Sequence, residues 1–255
     1  MATGRSPSAA RHRGSAVAAV SAPRMRPHGV KSAVAIDRTL AYTPFMSAGT
    51  PRRRVIALTF DDGPSPYTPK IIRVLLRLRV PTTFFVVGQQ LKYFTAGLRE
   101  EIRDGFVVGD HTENHAPLNR LNRRRQYDQI DAMAIRVRRL GAPFPRLFRP
   151  PYGYYNAVTF AILRRLHMLM VLWSVDPRDW TRPGTRAIVT RVLAAARPGA
   201  VVELHDGGGD RSETVAALPA IINGLRRRRF ELVTVPRLLS IDPPARRQHL
   251  PQLSE

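Results

Sequence analysis

Five short polar segments of this 255-residue chain carry side chains able to do chemistry. Asp61-Asp62-Gly63-Pro64 sets two carboxylates against turn residues, and His111-Thr112-Glu113-Asn114-His115 separates two imidazoles by four positions. Arg149-Pro150-Pro151-Tyr152-Gly153 joins a permanently charged fork to a rigid turn. Asp176-Pro177-Arg178-Asp179-Trp180 places a tryptophan beside carboxylates, and Leu204-His205-Asp206 precedes three glycines. Two histidines and one acid on a divalent ion leave a coordination position open, the arrangement that acidifies bound water and polarises a carbonyl. A further carboxylate and a further histidine then remain for proton transfer, which points to metal-assisted hydrolysis.

Each segment also has an ordinary reading when taken alone. DDGP is a turn, the two histidines are unrelated surface residues, Arg149 is one surface arginine among many, Trp180 is packing and His205 is structural. Their chemistry, where it applies, is specific. A helix beginning at His111 would put both imidazoles on one face. Glu113 is not the base of a metalloprotease helix, because that motif needs glutamate directly after the first histidine. The guanidinium of Arg149 suits holding a carboxylate such as Asp61, and the prolines and glycine after it could present an amide N–H to a developing oxyanion.

The elements that must position these segments alternate in type. Strands are predicted at 55–60, 82–87, 106–108, 147–149, 168–174, 200–204 and 231–235, and helices at 69–78, 91–103, 124–140, 157–166, 185–196 and 213–228. Seven strands alternating with helices imply an α/β protein with a parallel sheet, either open and doubly wound or closed as a barrel. In both, functional side chains collect at the carboxyl ends of strands, and all five segments fall there.

Composition bounds the remainder. With 44% hydrophobic residues the chain can bury one main core. Residues 1–52, rich in Ala, Ser, Pro and Arg, are expected to be a low-complexity leader, 53–240 the catalytic domain and 241–255 a polar tail. Arg11–Arg13 followed by Gly14–Ala22 has the order of a secretory signal, so a secreted or envelope-associated protein is expected, with a cytoplasmic one as the alternative. The absence of cysteine excludes thiolate chemistry and cysteine-held metals. No apolar run approaches the length of a membrane span. The net charge of +22 favours anionic polymers, yet no nucleic-acid-binding motif accompanies it. Runs such as Arg123–Arg125 and Arg226–Arg229 read as solvated helix faces or as an attachment to an acidic cell envelope.

TFDDGP at 59–64, HTENH at 111–115, RPPYG at 149–153, DPRDW at 176–180 and LHD at 204–206 together resemble, in order, the motifs of the polysaccharide deacetylases of the NodB-homology type, carbohydrate esterase family four. The resemblance spans residues 53–240 and implies a distorted, TIM-like (β/α) barrel of about seven parallel strands. It implies Asp62, His111 and His115 as ligands of a divalent ion, zinc first and cobalt, nickel or manganese as alternatives. Asp61 would be the general base, His205 the general acid, Arg149 the residue that orients Asp61 and Asp176 the residue that tunes His205. The Tyr152 N–H, beside Pro151, would hold the oxyanion, and Trp180 and Leu204 would line an acetyl pocket. The implied substrate is a glycan with N-acetyl sugars, such as peptidoglycan or chitin-like oligomers, handled by a monomer. A small cyclic or acylated metabolite on the same fold is the alternative. Asp110 and Glu203 depart from the family pattern, as a charge near the ion and a charge in a strand that is usually apolar.

Overall fold

The computed structural model describes residues 30–248, together with Met1 and Leu250. Helix α1 (Val30–Leu40) and strand β1 (Phe45–Met46) precede β2 (Val55–Asp61), α2 (Thr68–Leu78), β3 (Thr83–Val86), α3 (Leu91–Arg103), β4 (Val107–Asp110) and α4 (Arg123–Arg139). Then follow β5 (Leu147–Phe148), α5 (Ala157–Arg165), β6 (Leu169–Val171), α6 (Thr185–Ala195), β7 (Val201–His205), α7 (Ser212–Arg227), β8 (Glu231–Val233) and α8 (Val235–Ile241). All strand pairs are parallel, in the order β1-β6-β5-β4-β3-β2-β7, with β8 added alongside the start of β2. Just past β6, Val175 bridges Val202 of β7 and brings the sheet back onto itself. The result is the distorted (β/α) barrel rather than an open sheet. All seven expected strands are present, and β1 is an eighth.

Strand β2 is apolar nearly throughout because both of its faces are covered. Ile56, Leu58 and Phe60 join the outer core with Ile71, Ile72 and Leu75 of α2, while Val55 and Ala57 face inward with Phe85, Leu147 and Val201. The same alternation carries Thr59 and Asp61 inward. On β7 it sends Val202 and Leu204 to the outer core and Glu203 and His205 inward. The barrel interior is therefore apolar where the strands begin and polar where they end.

The expected leader differs from the structure in its second half. Helix α1 packs against α8, and Ala35 and Ile36 enter the inner core. Strand β1 pairs with β6, aligning Phe45 with Met170. The start of the expected tail is tied to the same segment: the Tyr42 hydroxyl donates to the Pro244 carbonyl at 3.0 Å, and the Gln248 amide donates to the Phe45 carbonyl at 2.9 Å. Short apolar patches flanked by Pro, Ser and Arg carry little periodic signal, and a helix of this length depends on the surface it packs against. The signal-like stretch Arg11–Ala22 lies outside the described residues.

Candidate metal centre and active site

The carboxyl ends of β2, β4, β5 and β7 open into a cavity of about 790 Å³, lined among others by Asp61, Asp62, His111, His115, Tyr152 and His205. Asp62 follows β2 with a φ of 72°, a left-handed turn that aims its side chain away from that of its neighbour Asp61. His111 and His115 do not lie on a helix. They sit on the loop after β4, where Thr112 (φ 68°) and His115 (φ 59°) turn the chain back so that both rings face Asp62. The Asp110 carboxylate fixes this loop by accepting the Thr112 N–H at 2.8 Å, and the Thr112 hydroxyl accepts the His115 N–H at 3.0 Å. Burial pushes the Asp110 carboxyl well above the usual range, while the Thr112 N–H that it accepts works against the shift.

The donor set fits a cation. His111 Nδ1–H donates to the Arg149 carbonyl at 2.7 Å, which leaves Nε2 facing Asp62 Oδ1, 3.5 Å away, as the ring nitrogen that would ligate a cation. His115 Nε2 lies 3.1 Å from the same oxygen. One ligand atom from each residue falls within 4.8 Å of the others, and Asp62 Oδ1 is buried with no ordinary hydrogen-bond partner. Burial works to raise Asp62, but its contacts with the two histidines hold its carboxyl well below the usual range, as needed for a ligand. Two imidazole nitrogens and a carboxylate converging from one side suit a divalent transition ion with an open position.

Asp61, 1% exposed, is held from behind. Arg149 is fully buried and donates through Nη1 to Asp61 Oδ1 at 2.7 Å and to the Thr59 hydroxyl at 2.8 Å, and through Nε to the Val171 carbonyl at 3.0 Å. Its guanidinium also stacks on Phe85, 4.2 Å from the ring centre. The other oxygen, Asp61 Oδ2, has no partner among the described residues and is available to a proton.

His205 is the register partner of Asp61 on the adjacent strand. Its Nδ1–H donates to Asp179 Oδ1 at 2.7 Å, while Asp179 Oδ2 accepts the His205 backbone N–H at 2.9 Å and the Thr214 hydroxyl at 2.7 Å. The expected partner was Asp176. That carboxylate instead caps the Arg178 N–H at 2.6 Å, because the left-handed Arg178 (φ 55°) reverses the chain and turns Asp179 inward. Burial disfavours the imidazolium, but the charge and hydrogen bond of Asp179 outweigh it, and the ring is pushed up to about 10.

Tyr152 adopts a left-handed conformation (φ 59°), and its N–H makes no backbone hydrogen bond among the described residues. The Tyr152 ring, 55% exposed, stands edge-on to His115 with centroids 4.5 Å apart, and Trp180, 47% exposed, borders the same cavity. Pro151 is buried and shapes the turn rather than lining the cavity. Leu204 does not line it either: it is fully buried in the outer core, since strand alternation gives the inward face to Glu203 and His205. Gly207 and Gly208 are required by close approach, for a Cβ on the first would collide with the Asp62 carbonyl and one on the second with Asp62 Oδ2. Arg211, which the sequence did not single out, clasps that loop through the Gly207 carbonyl at 2.7 Å and the Gly208 carbonyl at 3.0 Å.

Comparison with known proteins agrees with this geometry. The family model for polysaccharide deacetylase matches residues 48–171. The chain is 42% identical over 199 residues to a chitooligosaccharide deacetylase of Bradyrhizobium sp., covering 72% of this chain and 90% of that protein. It is 38% identical over 190 residues to a peptidoglycan-N-acetylglucosamine deacetylase of Bacillus cereus, covering 73% and 88%. A solved peptidoglycan N-acetylglucosamine deacetylase, in complex with a naphthalenyl N-hydroxybenzamide, superposes with a TM-score of 0.76 at 30% identity, covering 81% of this chain and 97% of that one. The chain belongs to the polysaccharide deacetylase family.

Proposed function

We propose that this protein hydrolyses the acetamido group of N-acetylated amino sugars in a glycan, of the peptidoglycan or chitin-like kind that its relatives' names describe. The observation that carries this reading is the arrangement of Asp61 and His205 as register partners beside the Asp62, His111 and His115 cluster. A divalent ion held by those three residues would supply Lewis acidity toward the acyl carbonyl and acidify water at its open position. Asp61 Oδ2 accepts the proton of the attacking water, with Arg149 holding the other carboxylate oxygen in place. The Tyr152 N–H donates to the developing oxyanion. His205, kept protonated by Asp179, delivers a proton to the departing nitrogen, which without it is a very poor leaving group.

The mouth of the cavity supports a polymer rather than a small cyclic amide, because the exposed Tyr152 and Trp180 rings offer flat apolar faces to sugars. Zinc is the proposed ion, and cobalt, nickel and manganese suit the same donors. The enzyme is proposed to act as a monomer at the cell envelope, where its charge of +22 holds it near acidic polymers. No described helix is long and apolar enough to cross a membrane. Acetate release from N-acetyl chitooligosaccharides and from peptidoglycan tests the reading. Activity is expected with the metal-loaded protein and not after chelation, and turnover that survives chelation would overturn it.

A further inference from the structure

Glu203 has no part in the roles above, yet its carboxyl faces the reacting atoms. It precedes His205 by two residues on β7, on the same inward face and two strand rises of about 3.3 Å each deeper in the barrel. One oxygen of Glu203, one of Asp61 and a ring nitrogen of His205 lie within 4.8 Å of one another. The residue is 6% exposed, and its carboxyl receives no hydrogen bond among the described residues. Trp173 and Ser174 line the cavity nearby, where the Glu203 N–H and the Ser174 N–H join the two chain segments.

The chemistry of the proposed reaction fixes what reaches this position. The acyl carbon has three substituents. Its oxygen must face the metal cluster and the Tyr152 N–H, and its nitrogen must face His205 with the sugar occupying the open mouth. The remaining substituent then points toward the floor, where Glu203 stands. An acetyl methyl placed there would set the Glu203 carboxyl against a group that can neither give nor take a hydrogen bond. We propose that Glu203 is a specificity-determining residue that selects an acyl group bearing a hydroxyl next to the carbonyl, of the hydroxyacetyl type, over plain acetyl. Burial, and after it the charge of Asp61, push the Glu203 carboxyl well above the usual carboxylate range, which favours the form able to donate to such a hydroxyl as well as accept from it. A site that hydrogen-bonds a substrate hydroxyl rejects the analogue lacking it far more strongly than an apolar pocket separates similar groups.

This inference rests on the deacetylase reading, and one experiment separates the two. The metal-loaded full chain is given chitooligosaccharides of equal length carrying either N-acetyl or N-hydroxyacetyl groups, and kcat/KM is measured from amine release. The ratio between two substrates in one preparation does not depend on how much of a variant folds. The wild-type enzyme is expected to favour the hydroxyacetyl substrate by about tenfold or more. Glu203→Leu should bring the ratio to unity or below, and Glu203→Gln, which keeps a donor and an acceptor, should retain part of it. A wild-type preference for acetyl, or the same ratio in wild type and Glu203→Leu, would overturn the role of Glu203. Release of neither acyl group would overturn the deacetylase reading itself, and this inference with it.

Discussion

Asp61 and His205 face each other across the β2–β7 ladder as direct register partners, so the proposed base and acid are separated by one strand spacing on a shared hydrogen-bonded frame. Asp61 is hydrogen-bonded by Arg149 and His205 by Asp179, two different partners. Their contributions should therefore be separable by mutation.

Asp61→Asn should lower kcat by roughly 10²–10⁴-fold, the usual range for loss of a positioned general base. Asp61 is not one of the three clustered ligands, so metal content measured by elemental analysis should be unchanged. Loss of the ion in this variant would show that Asp61 holds metal rather than a proton.

Asp179→Asn removes the anion that favours the charged form of His205. In the metal-free protein, the His205 ring should titrate at about 10 by NMR and move downward in Asp179→Asn. Asp176→Asn should move it much less, because that carboxylate is engaged with the Arg178 N–H. The sign for stability follows from the raised value. His205 contributes fully below its unfolded pKa, roughly 6.5, and the contribution is lost as pH rises through about 10. Denaturation midpoints of the metal-free protein should accordingly fall over that window, and Asp179→Asn should flatten the fall.

Substituting Asp62, His111 or His115 by Ala should reduce bound metal at a fixed free-ion concentration. Metal bound to the native state alone stabilises it by mass action, so chelation should lower the melting temperature of the wild type and scarcely change that of the variants. An equal response to chelation in wild type and variants would place the ion elsewhere.

Arg149→Ala should cost about 3–5 kcal/mol in urea denaturation, since it strands the buried Asp61 carboxylate without its partner. Arg149→Lys should recover only part of this. A single ammonium cannot span Asp61, Thr59 and the Val171 carbonyl as the planar fork does.

Much of this molecule was legible along the chain. The apolar run from Val55 and the amphipathic run after Pro69 announced a strand and a helix because each obeys a local period that burial imposes. Segment α1–β1 was hidden for the opposite reason, as its apolar patches acquire meaning only against α8 and β6. Residue types and spacing by themselves determined the chemical inventory: two carboxylates after the first long strand, two histidines four apart, a buried-capable arginine and a histidine at a strand end. Only the tertiary structure decided how that inventory is shared out. Whether Asp176 or Asp179 meets His205 depends on one left-handed residue between them, and whether Glu203 or Leu204 faces the cavity depends on the register of β7 against β2. Chain sequence specifies neighbours along the backbone, whereas pleat, register and positive-φ turns determine which side chains point into a common space.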